Sequence, residues 1–289
     1  MLTLVNPLSQ VATEICPESS SDTGQPDPGH FRYLPGGSSQ SQLAVPNPCN
    51  SCDDPQNADA AACSVFRLMR SEECAGARCR DSQGTFQFYR SFRDQFALQH
   101  DIRYEDPIKY PRAEGEHCRF LVWALNPSIG VEDIRSRADF PYWSQAWRAS
   151  QRFVEPAFPQ MRVGFIVQSS TSRGQHQLHI HIGRLFPDYR QAIDTLRQDP
   201  KITQSLTIRG RRFYARYVMD APGEGAFTGA NPFDVASRIV PRGEAAMPEH
   251  GILAARSRNR KGVFVLAARG LERDQLDYRA GSACRMILI

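Results

Sequence analysis

The stretch Gln175-His176-Gln177-Leu178-His179-Ile180-His181 decides how this chain is read. From Gln177 to Ile182 polar and apolar residues alternate with a period of two, the pattern of a β-strand rather than a helix, and Leu178–Leu185 reads as that strand. Successive strand side chains point to opposite faces, so Gln177, His179 and His181 share one face and Leu178, Ile180 and Ile182 the other. His176 is out of phase and points with the apolar set or begins the turn. Two imidazoles at this spacing suit polar positions on a half-exposed strand, a pair of metal ligands, or a nucleophile with its neighbour.

The loop just before the strand, Ser169-Ser170-Thr171-Ser172-Arg173-Gly174-Gln175, bears on that choice. It offers hydroxyls, a guanidinium, an amide and a glycine that lets backbone N–H groups approach a ligand, which together make a phosphate-binding inventory. Each residue alone is ordinary turn chemistry; the combination is informative. A metal pair calls for further carboxylates or histidines nearby, and the next several positions carry none.

Working outward, Val163–Val167 reads as a strand, so the centre is strand, loop, strand. Arg119–Leu125, closed by Asn126-Pro127, is a further buried strand, and Tyr142–Phe153 is a helix that Pro141 starts and Pro156 stops. Arg212–Met219 alternates as a strand. Asn231-Pro232 caps a helix to about Ile239, and Gly251–Arg256 with Val263–Arg269 makes a hairpin around Asn259-Arg260-Lys261-Gly262. The fold class expected is α+β, an antiparallel sheet with packed helices. Upstream, Ala60–Arg70 and Phe86–Gln99 carry apolar residues at three- and four-residue spacing, as amphipathic helices do. Residues 1–59 include a Ser-, Pro-, Gly- and Gln-rich run from Glu18 to about Asn57 and read as a flexible extension. The expected organisation is therefore 1–59 extension, 60–102 helical segment and 103–289 folded domain.

The bulk numbers exclude some classes. Lys plus Arg total 35 against 31 Asp plus Glu, a net charge of +4, too mild for a nucleic-acid-binding chain. No apolar run is long enough for a spanning helix. Met1–Cys16 lacks the basic start and continuous apolar middle of a signal peptide, so a soluble or peripherally attached protein is expected, with secretion by another route left open. Lys201–Arg216 holds five basic residues and no acidic one, which suits anionic headgroups or simple solvation. Six of eight cysteines fall in the first third of the chain. They read as free thiols in preference to disulfides or to a zinc site at Cys49-Asn50-Ser51-Cys52.

The segment Val167–Gly183 resembles the active-site region of CDP-diacylglycerol pyrophosphatases, a branch of the histidine-triad superfamily. Arg119–Asp133, Asp139–Phe153, Tyr214–Arg216, Asn231–Pro241, Gly251–Ala254 and Val263–Ala267 follow the family in order, so the resemblance runs from about Arg103 to the C-terminus. It implies a histidine-triad-like (HIT-like) fold and a hydrolase that splits CDP-diacylglycerol into CMP and phosphatidate through a histidine nucleophile, with no cofactor and no metal. The implied catalytic residues are His179 and His181, and the substrate-binding residues Ser170, Ser172, Arg173, Gln175 and Gln177. Gln177 stands where the family has the first of three alternating histidines. The middle position then falls on His179 as nucleophile, whereas counting from Gly174-Gln175, as in small histidine-triad hydrolases, makes it His181. The partners implied are CDP-diacylglycerol or a related nucleotide diphosphate, a membrane surface met peripherally, and a second copy in a homodimer, with no nucleic acid. Three rivals stand beside this reading: another nucleotide phosphoanhydride as substrate, a non-catalytic nucleotide- or lipid-binding relative, and a metal-dependent enzyme with His179 and His181 as ligands.

Overall fold

The computed structural model describes residues 52, 61–71, 78–80, 86–91, 96–101, 119–125, 142–157, 163–221, 226–271 and 276–277. Its strands are β1 (Arg78–Arg80), β2 (Phe86–Ser91), β3 (Phe96–Asp101), β4 (Phe120–Ala124), β5 (Val163–Val167), β6 (His179–Leu185), β7 (Thr203–Ile208), β8 (Arg211–Met219), β9 (His250–Arg256), β10 (Gly262–Arg269) and β11 (Leu276–Asp277). The helices are α1 (Ser64–Arg70), α2 (Tyr142–Ala149), α3 (Pro187–Asp194) and α4 (Pro232–Ile239). The strands join one sheet in the order β1-β2-β3-β4-β6-β5-β9-β10-β8-β7, with β11 pairing β6 beyond the end of β4. Every pairing is antiparallel, so the α+β expectation holds.

The histidine strand lies between β4 and β5 with both ladders satisfied: Leu121 and Ile166 face His181, and Trp123 faces His179. On one sheet face Leu178, Ile180 and Ile182 join Phe120, Val122, Phe165, Ile252 and Val265 under α2 and α4, the main core. Burial of these large side chains contributes about 1.5–3 kcal/mol each. The opposite face carries two smaller clusters. One packs α3, through Tyr189 and Ile193, on Ile166, Leu253, Leu266 and Phe213. The other packs α1, through Phe66 and Met69, on Ala97, Leu121, Trp123 and Leu125. His179 and His181 share this second face and lie between its two clusters.

Most elements form where their local signals place them. Asn231 caps α4 by accepting from the Phe233 N–H at 3.0 Å, with Pro232 in the first turn. The β9–β10 turn closes through Ser257 N–H to Gly262 O at 2.9 Å, with Asn259 Oδ1 accepting from Lys261 N–H. Helix α2 does not run unbroken to Pro156. It widens into a π-turn over Ser150–Val154, where the Glu155 N–H reaches back to Ser150 O, and ends in a 3-10 turn containing Pro156.

Two expectations are corrected. Phe86–Gln99 is not a helix: β2 and β3 pair in register from Phe86↔Asp101 to Ser91↔Phe96, and β3 pairs with β4 from Phe96↔Ala124 to His100↔Phe120. The four-residue spacing of Phe88, Phe92 and Phe96 suggested a helical stripe, but Phe86/Phe88 and Phe96/Leu98 also alternate by two, and the neighbouring β4 selects that period. Among its described residues the segment 60–102 is thus helical only in its first part, at Ala61–Cys63 and α1. Cys52 and Cys63 are not thiols but a disulfide with Cα atoms 5.4 Å apart, which also removes Cys52 from a zinc knuckle. Closing so short a loop contributes about 3 kcal/mol in the chain-entropy account. The expectation for residues 1–59 lies, Cys52 apart, outside the described residues.

Gly251 on β9 is needed for close approach. A Cβ there would sit 2.6 Å from Val167 O, 2.7 Å from Leu271 Cβ and 3.0 Å from Ser169 N, where β5 turns into the polar loop. Gly251→Ala is therefore expected to destabilise the protein by about 1–3 kcal/mol through backbone displacement. Urea denaturation checks this, and an unchanged midpoint would mean that the loop has room to spare.

Candidate active site

The polar loop after β5 is a tightly tied turn. Ser169 O accepts from the N–H groups of Ser172 at 3.1 Å and Arg173 at 3.0 Å, while Ser169 Oγ lies 3.0 Å from Thr171 Oγ1 and 2.8 Å from Ser172 Oγ. Ser170 donates twice to Pro248 O, from N–H at 2.9 Å and from Oγ at 2.6 Å. Ser172 Oγ donates to Leu271 O at 2.6 Å. The Ser170 and Ser172 hydroxyl hydrogens thus anchor the loop to its neighbours, leaving oxygen lone pairs to face any other group.

Across the loop, Gln168 holds the site together. Its Nε2 donates to Ser172 O at 2.9 Å, which fixes the amide orientation, and its Oε1 meets His181 Nε2 at 3.0 Å. Because Oε1 can only accept, His181 Nε2 carries hydrogen in this bond. His179 is set the other way round: its Nδ1 lies 2.8 Å from Gln177 O, a carbonyl that can only accept. That bond puts the proton on Nδ1 and the ring's lone pair on Nε2. The two rings meet edge to face with centroids 4.8 Å apart, and the indole of Trp123 stacks on His179 at 4.3 Å. The group is well covered, with His179 6 %, His181 1 % and Gln177 1 % exposed.

Gln177 shares the histidine face, as its phase requires, and its Nε2 donates to Ala124 O at 2.6 Å. Its contribution to His179 comes from the backbone carbonyl, which any residue at this position supplies. Gln175 turns towards the N-terminal segment: Val65 N–H donates to its Oε1 at 3.3 Å, and its Nε2 lies 3.4 Å from Ser64 Oγ. The next residue is tied to the same segment, His176 N–H donating to Ala62 O at 2.9 Å. Arg173 is half-buried and close enough to His176 for its charge to act there.

The site therefore brings together Gln168, His179, His181 and Gln177, with Trp123 beside them, and places Ser170, Ser172 and Gln175 in structural bonds. Sequence reading did not single out Gln168 or Trp123. The glutamine ends a strand next to the loop, and Trp123 lies across from His179 only once β4 and β6 are paired. The basic run Lys201–Arg216 does not flank the histidines. Arg212 and Arg216 lie on the opposite sheet face from Phe213 and Ala215, on a strand four places from β6, roughly 19 Å away. Arg209 pairs with Asp188 at 2.6 Å.

His176 is buried, and its Nδ1 meets no hydrogen-bond partner among the described residues. Burial, and secondarily the Arg173 guanidinium, lower its pKa to about 4 from 6.5. The unfolded chain therefore binds a proton between pH 6.5 and 4 that the folded chain refuses. The resulting stability is full above pH 6.5 and is lost as pH falls towards 4, on the order of 3 kcal/mol at most. The urea midpoint of wild type should fall relative to that of His176→Phe as pH drops from 6.5 towards 4. Parallel curves would refute the assignment.

A buried pair of imidazoles beside a tied polar loop, on an antiparallel sheet, is equipment for phosphate chemistry, and the family comparison makes the chain a phosphoanhydride hydrolase. Residues 109–285 match the family model for CDP-diacylglycerol pyrophosphatase, and as that is more than half of the sequence, the chain belongs to this family. Its reaction is hydrolysis of the pyrophosphate of CDP-diacylglycerol.

Proposed function

We propose that this protein hydrolyses CDP-diacylglycerol through a covalent nucleotidyl-histidine formed on His179, in a site of histidine-triad type. The observation that carries the assignment is the His179 Nδ1 bond to Gln177 O, because it holds the tautomer whose Nε2 lone pair can attack. In the first step Nε2 bonds to the α-phosphorus of the cytidylyl group, and the bond from that phosphorus to the bridging oxygen breaks. The electron pair leaves with phosphatidate, and the ring, keeping its Nδ1 proton, becomes positively charged. Water then bonds to the same phosphorus, one of its protons staying on the new phosphate oxygen and the other passing to solvent, while the N–P pair returns to Nε2 and CMP leaves.

His181 favours a different role. Its Nε2–H, aimed by the bond to Gln168 Oε1, would share its one hydrogen in the transition state between that oxygen and a non-bridging phosphate oxygen where negative charge builds up. Arg173 supplies a positive group at the loop, while Ser170 and Ser172 keep its shape and Gln177 supplies the carbonyl under His179. Gln175 joins the substrate-binding set if its bonds to α1 are exchanged for the nucleotide. The first experiment is a rapid quench with CDP-diacylglycerol labelled in the cytidylyl phosphate, in mixed micelles with EDTA. Wild type should carry acid-labile, base-stable label and His179→Ala none. Loss of turnover in EDTA would favour metal-ligating histidines instead.

A further inference from the structure

We propose that Trp123 is a positioning residue for His179, presenting its indole face to stabilise the positive charge that the imidazole acquires on bonding to phosphorus. This rests on the reading of His179 as nucleophile and goes beyond it. Trp123 lies directly across from His179 in the antiparallel β4–β6 pair. The rings are stacked at 4.3 Å between centroids and 24° between planes, within the distance at which a cation over an indole is attracted by its π-cloud. The indole is 2 % exposed, so water does not weaken that attraction.

Two further contacts hold the indole in place. Its Nε1–H donates to Gln99 Oε1 at 2.6 Å, and Gln99 is itself buried on β3, the next strand. Phe66, Met69 and the Cys52–Cys63 disulfide pack in the same cluster as Trp123, so the N-terminal segment buttresses the nucleophile through it. These residues precede the stretch that matches the family model, as do Gln99 and β3. The indole thus acts on His179 in two ways. It limits tilting of the ring away from Gln177 O, and it favours the charged nucleotidyl-imidazolium over the neutral ring.

Trp123→Leu keeps an apolar side chain but removes the π-face. We expect kcat on CDP-diacylglycerol micelles to fall about 5- to 30-fold, with a smaller phosphatidate burst, because the charged intermediate is what loses support. KM should stay within about twofold, since no substrate contact is removed. Trp123→Phe restores a face without the Nε1 donor and should recover to within about threefold of wild type. Gln99→Leu, which frees the indole to rock and leaves its buried Nε1–H unpaired, should lower the melting temperature and, assayed where the variant is still folded, lower kcat about two- to threefold, as the phenylalanine variant does. It decides the matter if Trp123→Leu does not fold. Wild-type kcat in Trp123→Leu, a loss confined to KM, a phenylalanine variant as poor as the leucine one, or an unaffected Gln99→Leu would each overturn the proposal. His179→Ala run alongside separates the two claims. If it still gives a burst, the nucleophile assignment fails; if it is inert while the Trp123 variants are normal, only the role of the indole fails.

Discussion

His179→Ala is expected to lower kcat for CMP release by about 10⁴-fold or more, the scale on which removal of a covalent nucleophile acts. The loss should appear in kcat, because the ring's Nε2 is proposed to work on the reacting phosphorus and the variant leaves the polar loop unchanged. The variant should remain folded: His179 sits outside the main core, whose strand partners Leu178, Ile180 and Ile182 are untouched. His179→Gly offers a sharper form of the test. It leaves a ring-sized space against Trp123, and added imidazole should recover part of the turnover there but none in His181→Gly. The hydrogen bonds separate the two histidines in advance, since one ring has its Nδ1 on a carbonyl and the other has its Nε2 on an amide oxygen. Rescue of the His181 variant alone would move the nucleophile to His181 and restore the alternative count of the motif.

The sequence made the histidine strand legible because a period of two is a local property: the chain itself assigns Leu178, Ile180 and Ile182 to one face and Gln177, His179 and His181 to the other. Asn231-Pro232 and the Asn259–Gly262 turn were legible for the same reason, each signal lying within a few residues of the structure that it forms. What was not legible depends on pairing between distant segments. Phe86–Gln99 satisfies a helical and a strand period at once, and only hydrogen bonding of β3 to β4 decides between them. Gln168 meets His181 only across the loop, and Trp123 meets His179 only across two strands separated by a helix. The hydroxyls of Ser170 and Ser172 could be counted but not assigned, since their acceptors, Pro248 O and Leu271 O, come from far along the chain. The Cys52–Cys63 bridge was hidden for a different reason: cysteine spacing alone does not say which sulfurs meet.

The link between Gln168 and His181 leads to the second large effect. His181→Ala should lower kcat by about 10²- to 10³-fold, as loss of one fixed donor to a developing oxyanion does. Gln168→Leu should approach the same figure, because it removes the acceptor that orients His181 and leaves Ser172 O without its donor. If the glutamine acts through the histidine, the double variant should be no slower than His181→Ala, whereas independent contributions would multiply. Gln168→Glu separates the two ends of the bridge. A carboxylate still accepts from His181 Nε2–H, but turns its second oxygen on Ser172 O, where the native amide donates. Near-normal kcat in the glutamate variant would mean that orientation of His181 is what matters. A loss as large as that of the leucine variant would mean that the loop, fixed through Ser172, is the element that catalysis depends on, and His181 would then be a passenger on it.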